Sequence, residues 1–349
     1  MQILGVSCYF HDAAAALLRD GQLVAAAEEE RFTRKKHDYA FPQHAIDFCL
    51  RAGGIRAADL DVAVFFEKPF IKFERLLLTS LQTFPRSRRV FQEAMIGWLG
   101  DKLWIKDRIQ KRLGIPPSKI LFSDHHLSHA ASTFFCSPFE EAAILTIDGV
   151  GEWTTASLGV GKGTEIKLLR EIRFPHSLGL LYSAFTAFLG FEVNEGEYKV
   201  MGMAPFGTPK YVDKVYKLIC VGDDGSFELN MDYFSFHYSP EKTFNGKFEV
   251  LFGAPRNPRD PFFTPATRYP SYYGEKPANR CSLLSSTKTQ TQTQEKSDRN
   301  SFFVFTEKIL PLKNVKRSWP RFDHATVDCP FSFPALHKDK IQSKLSPIN

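Results

Sequence analysis

Cysteine is scarce and scattered: six residues, Cys8, Cys49, Cys136, Cys220, Cys281 and Cys329, form no C-x-x-C pair. That spacing argues against a thiolate zinc cage and a disulfide framework, and it suits a reducing, cytoplasmic setting. Long hydrophobic runs are missing as well. No stretch approaches the roughly 18 uninterrupted apolar residues of a membrane helix, and the start lacks a basic segment followed by an apolar one. Neither a membrane span nor a signal peptide is therefore expected. Most of the chain also lacks an excess of one charge. The total is +6, yet residues 256–349 hold 16 Lys and Arg against 8 Asp and Glu, while residues 1–255 hold 29 against 31. A near-neutral body gives no electrostatic case for gripping a phosphate backbone, so nucleic acid is not an expected partner.

What is present suffices for a large core: 43% of the residues are hydrophobic and 33 are Phe. Ile3–Ser7 reads as a strand, and His11-Asp12 as a turn. Ala13–Leu18, the Asp20-Gly21 hairpin signal and Gln22–Ala27 complete a meander that runs into the charged Glu28–Arg34. The same grammar returns at residue 142, with strands Ala143–Ile147, Thr154–Val160 and Ile166–Ile172 joined by Asp148-Gly-Val-Gly and Gly161-Lys-Gly turns. Two such meanders, each followed by helical sequence, predict a duplicated α/β protein with a cleft between lobes. Between them, spacing predicts helices over Pro42–Ala52, capped at Gly53-Gly54, over Phe73–Leu113 with a break near Pro85, and over His125–Phe135. Strands are expected at Asp61–Phe66 and Lys119–Phe122, and further helices at Ser177–Leu189 and Lys210–Leu218. Beyond Pro255 the composition changes. Ten of the 21 prolines lie there, with a Ser/Thr/Gln tract at Ser285–Gln294, and little apolar surface is available to offset chain entropy. The expected organisation is a first lobe over 1–141, a second, incomplete lobe over 142–255, and a largely disordered tail over 256–349. Phe302–Phe305 and Ile309–Leu312 are its candidates for short local structure.

The clearest chemical signal is Asp124-His125-His126-Leu-Ser-His129. His125 and His129, four apart on a helix, share one face and can grip one metal ion, while His126 points elsewhere. Such a pair alone is more often a pair of surface histidines. The balance changes because Asp148 follows an apolar strand nineteen residues on, in Asp148-Gly149-Val150-Gly151-Glu152, where its carboxylate can supply a third ligand. Gly149 and Gly151 let backbone N–H groups approach a phosphate. No Glu stands between the histidines, so the H-E-x-x-H water activation of a metalloprotease is absent. In Asn194-Glu195-Gly-Glu-Tyr-Lys199, Glu195 can hold a substrate hydroxyl or amine and Lys199 a phosphate. His11 is a candidate base, and the basic run that includes Lys36 can neutralise a polyphosphate or carboxylate. A charged loop and a solvated basic run are the plainer readings of these last two segments.

Together, Phe10-His-Asp-Ala-Ala-Ala-Ala-Leu, Glu28-Glu-Glu-Arg-Phe-Thr-Arg-Lys-Lys-His-Asp, His125-His-Leu-Ser-His-Ala-Ala-Ser, Ile147-Asp-Gly-Val-Gly-Glu and Gly196-Glu-Tyr-Lys-Val-Met-Gly-Met-Ala-Pro-Phe-Gly resemble the O-carbamoyltransferases of nodulation-factor, cephamycin and aminoglycoside biosynthesis. The resemblance covers residues 1 to about 255. It implies an actin/Hsp70-like fold that moves a carbamoyl group from carbamoyl-adenylate to a hydroxyl of a small-molecule acceptor, with bound Fe2+ or another divalent transition metal. It also implies that a separate C-terminal YrdC-like domain makes the adenylate from carbamoyl phosphate and ATP. Residue by residue, it implies His125, His129 and Asp148 as metal ligands, His11 as the base, Lys36 as an adenylate contact and Glu195 as an acceptor-side carboxylate. Gly149, Gly151, Glu152 and Lys199 join the expected nucleotide and substrate contacts. Nothing from Arg256 onward resembles the family's continuation, so the chain is expected to be inactive alone, with apolar surface around Phe185–Phe191 exposed. A tRNA threonylcarbamoyladenosine-type partner and a non-catalytic remnant are the alternative functions.

Overall fold

The computed structural model describes residues 1–260, except His11 and Asp101, together with the backbone of a strand at Glu307–Pro311. The expected tail otherwise lies outside the described residues. The fold is mixed α/β. Its first sheet has the order β3-β2-β1-β4-β5, from β1 (Gln2–Ser7), β2 (Ala14–Arg19), β3 (Gln22–Glu28), β4 (Val62–Phe65) and β5 (Ile120–Phe122). β1, β2 and β3 form the antiparallel meander read from the sequence, and Asp20 adopts the positive φ of 51° that its tight turn requires. β4 joins β1 in parallel, and β5 joins β4 in parallel. Parallel pairs need crossovers, and helices supply them. α1 (Glu30–Thr33) and α2 (Gln43–Gly53) lie between β3 and β4, and α2 ends on the left-handed Gly54, φ 62°. α3 (Pro69–Gln82), α4 (Arg88–Gly100) and α5 (Ile105–Leu113) lie between β4 and β5, with a break at Pro85 and a left-handed cap at Gly114. α3 starts four residues earlier than its spacing predicts, because Pro69 occupies the first turn, where a missing N–H costs nothing.

The second sheet has the order β11-β6-β7-β8, from β6 (Glu141–Ile147), β7 (Thr154–Lys162), β8 (Glu165–Arg173) and β11 (Glu307–Pro311). β6, β7 and β8 make another antiparallel meander. The two sheets part ways at the fourth strand: β1 takes the parallel β4, whereas β6 takes the antiparallel β11, with Ile309 opposite Ile144. α6 (His125–Phe134) connects the sheets and packs Ala130 and Phe134 against Ala142 and Ile144. The fit is tight enough that a Cβ at Gly161 would stand 2.7 Å from the Phe134 ring.

α7 (Leu178–Phe188) follows β8, then α8 (Glu197–Met203), α9 (Val212–Val215), a two-stranded ribbon of β9 (Ile219–Val221) and β10 (Phe227–Leu229), and α10 (Gly246–Phe252). The helix expected over Lys210–Leu218 shrinks to α9, since Leu218 and Ile219 are buried as the chain enters β9. The expectation of exposed apolar surface at Phe185–Phe191 is also corrected. Phe185, Phe188 and Leu189 are 2%, 3% and 0% exposed, because α10, unread from the sequence, covers them. Phe248 of α10 is fully buried, with Phe185, Phe188, Phe234, Phe244 and Phe252 ring centroids 4.7–6.1 Å away. Among the described residues no helix is long and apolar enough to cross a membrane.

Candidate metal centre

Helical periodicity brings His125 and His129 onto one face of α6, ring centroids 4.7 Å apart. Their Nε2 atoms stand 3.0 Å from each other. Asp148, at the end of β6, reaches the same point: its Oδ2 is 2.8 Å from His125 Nε2 and 3.7 Å from His129 Nε2. A first-row ion about 2.1 Å from each donor would hold them about 3.0–3.4 Å apart, so the three atoms fit one ion with little movement. Burial alone would raise the Asp148 carboxyl, yet hydrogen bonds and charge from His125 and His129 hold it far below the usual carboxylate range. Burial pulls the His125 imidazole down, but the Asp148 and Glu67 carboxylates prevail and raise it. His126 faces away as expected. Its ring binds Thr146 Oγ1 at 2.6 Å and the Thr154 carbonyl at 2.9 Å, and burial lowers its pKa to about 4.

The turn that carries Asp148 is braced from three sides. Ser177, the N-cap of α7, accepts the Leu180 N–H at 3.0 Å and places its hydroxyl 2.7 Å from the Gly149 carbonyl. Gly179 allows α7 to approach, since a Cβ there would lie 2.5 Å from the Asp148 carbonyl oxygen. Gly151 packs on the candidate ligand His125, where a Cβ would stand 2.9 Å from the ring atoms. The two backbone N–H groups expected to meet a phosphate, at Gly149 and Gly151, have partners within the turn itself. The Gly149 N–H is taken by Asp148 Oδ1 at 2.6 Å and the Gly151 N–H by the Thr154 carbonyl at 3.0 Å. Glu152 is likewise engaged. Its carboxylate accepts the backbone N–H of His125 at 3.1 Å and of Lys68 at 2.8 Å, giving the N-terminus of α6 an acceptor that the Asp124 side chain does not provide.

Around the triad lies a shell that the motifs did not reveal. Glu67, just beyond β4, puts Oε2 3.3 Å from His125 Nδ1, out of line for a hydrogen bond, and accepts Lys72 Nζ at 2.6 Å. Carboxylates commonly occupy this place behind a ligating histidine. Arg75, one turn along α3 from Lys72, is 5% exposed and stacks its guanidinium 5.0 Å from the Phe174 ring centroid, and burial lowers its pKa to about 10. Glu67 follows the end of an apolar strand just as Asp148 does, which is the signal that finds it.

A second group gathers where the segment after α1 meets the loop before α8. Lys36 Nζ stands 4.0 Å from Glu195 Oε2, so these two expected site residues come together. Between them is His37, with Nε2 3.7 Å from Glu195 Oε1 and Nδ1 2.8 Å from Asp12 Oδ1. Gly196 keeps the loop folded tightly, as a Cβ there would lie 2.6 Å from Phe191 Cβ. His11 lies outside the described residues. Lys199 is exposed on α8 with its ammonium over the Tyr198 ring, and it makes no described contact with the other candidates.

The family model for the carbamoyltransferase N-terminus matches residues 2–260. An uncharacterised Synechocystis protein is 53% identical over 270 residues, covering 74% of this chain and 43% of its own length. The nodulation protein NolNO of Sinorhizobium fredii is 39% identical over 233 residues, 64% of this chain and 32% of its own. This chain thus spans less than half the length of either relative. A solved Ppx/GppA phosphatase from Aquifex aeolicus aligns with 11% identity and a TM-score of 0.27, over 62% of this chain and 70% of that one, too slight a likeness to weigh. With the matched region enclosing the histidine pair, the Asp148 turn and the Lys36–Glu195 junction, the chain belongs to the carbamoyltransferase N-terminal family.

Proposed function

We propose that this chain performs the transfer half of an O-carbamoyltransferase reaction, passing a carbamoyl group from carbamoyl-adenylate to a hydroxyl of a small molecule. The observation that carries this is the convergence of His125 Nε2, His129 Nε2 and Asp148 Oδ2 within 3.7 Å of one another. The donor set suits Fe2+ or another divalent transition ion, which when bound supplies Lewis acidity to a donor oxygen. Lys36 offers a cation to the adenylate phosphate, and Glu195 a carboxylate to the acceptor. A first-lobe base takes the hydroxyl proton, a role the family resemblance gives to His11. A meander opening each sheet, with α6 between them, supports an actin-like reading with the cleft at this junction.

Donor synthesis from ATP and carbamoyl phosphate is assigned to a YrdC-like domain, because the adenylate is useful only when handed over within a closed site. The test gives the purified chain ATP, carbamoyl phosphate, Fe2+ and a panel of hydroxylated acceptors, with and without an added YrdC-like domain, and follows AMP and carbamoylated product. Product is expected only with it. Its absence in both arms removes the transfer reading, and robust turnover in both removes the division of labour.

A further inference from the structure

Lys72 and Arg75 stand three residues apart on α3, so they share one face of the helix, and both are buried, 8% and 5% exposed. Their surroundings differ. Lys72 Nζ donates to Glu67 Oε2 at 2.6 Å and lies 4.9 Å from the Phe10 ring centroid. Arg75 forms no ion pair and no hydrogen bond among the described residues. Its Nε is cut off from solvent without an acceptor, whereas Nη1 and Nη2 still touch solvent. The Phe174 ring, 5.0 Å from Cζ, meets the charge but does not replace an oxygen acceptor for the guanidinium N–H groups. The two carboxylates whose charge Arg75 feels are committed elsewhere. Glu67 accepts Lys72, and Glu152 accepts the backbone N–H groups of Lys68 and His125. Lys102 adds to the positive potential, being near enough to Lys72 to be repelled by it.

A buried charge without a hydrogen-bonded partner is costly, and such a group persists where a ligand supplies the partner. Counted against Glu67 and Glu152, the three cations Lys72, Arg75 and Lys102 leave one positive charge over, so a single anionic group balances the cluster. We propose that Arg75 is the floor of an oxyanion-binding site, taking the carboxylate or phosphate group of a small ligand through paired N–H···O bonds. The planar guanidinium fork matches two oxygens on one carbon or phosphorus. Entry is at the opening where Nη1 and Nη2 meet solvent. The site uses none of the residues given to the adenylate above, and it stands whether or not the chain transfers carbamoyl groups.

Titration calorimetry of the full chain at fixed ionic strength tests it, with no added metal so that phosphate has no ion to bind. One arm uses inorganic phosphate and the other acetate. At least one anion is expected to saturate a single site and to raise the urea midpoint, and the arm that does so identifies the ligand's group. Arg75→Met should weaken that binding by at least about 10-fold, and Arg75→Lys should restore only part of it, since an ammonium lacks the fork. Lys36→Met should leave it unchanged. In buffer free of both anions, Arg75→Met should be no less stable than the wild type, because it removes a buried charge that no side chain pairs. No saturable binding of either anion by the wild type overturns the proposal, a result that needs no variant to fold. Binding unaltered in Arg75→Met, or lost in Lys36→Met, overturns it too. A lower urea midpoint for Arg75→Met without the anions also overturns it, leaving Arg75 as a bracket between α3 and Phe174.

Discussion

Gly151 illustrates how one missing atom can set the geometry of a candidate metal centre. Its backbone lies so close to the His125 ring that Gly151→Ala would place a methyl 2.9 Å from three ring atoms and push Nε2 off the shared point. About 10–100-fold weaker metal binding is expected, with an unchanged circular dichroism spectrum, as measured by calorimetric titration of Fe2+ or Zn2+. His129→Ala removes a ligand outright, so metal stoichiometry under matched conditions should fall toward zero; equal metal in mutant and wild type would dismiss the site. The histidine pair was legible because helical spacing is local, and Asp148 because it ends an apolar run. Glu67, Ser177 and the bracing role of Glu152 were not. Their partners stand 58, 28 and 27 residues away, at His125, Gly149 and His125 respectively, and no local period links them.

At the level of elements, strong periodicity and Gly caps made β1 to β8 and α2 to α7 readable. The ribbon of β9 and β10 was not read from the sequence. α10 escaped too, being seven residues long and apolar on most sides. It nonetheless completes the phenylalanine core. Phe248→Ala should destabilise the chain by about 3–5 kcal/mol, read as a shift in urea midpoint, because five rings lose their common neighbour. Ser177→Ala removes both a helix cap and a tie to the Gly149 carbonyl, and about 1–2 kcal/mol is expected for the cap alone.

For the molecule as a whole, acid should loosen the fold before carboxylates titrate. Burial, with a smaller effect from Arg86, depresses the His237 imidazole from 6.5 to about 4. The unfolded chain therefore takes up a proton that the folded chain refuses. The stability this gives is complete above pH 6.5 and is lost as pH falls toward 4. Urea midpoints at pH 7 and pH 5 should differ by about 1–2 kcal/mol from this group, and His237→Gln should narrow the gap. An unaltered gap in the variant would place the acid sensitivity elsewhere.

The phenylalanine core also determines what light can report. Of the four tryptophans, Trp98 and Trp104 belong to the helical segment between β4 and β5, Trp319 lies outside the described residues, and none of the described ones joins the Phe248 cluster. Among the described residues Trp153 alone lies beyond α6, next to Glu152, its carbonyl accepting the Phe174 N–H at 2.8 Å. The Phe248 cluster is therefore nearly dark in tryptophan fluorescence, while the turn that carries Asp148 has its own lamp. A single-tryptophan chain keeping only Trp153 would follow metal arrival at the turn directly, against a silent background.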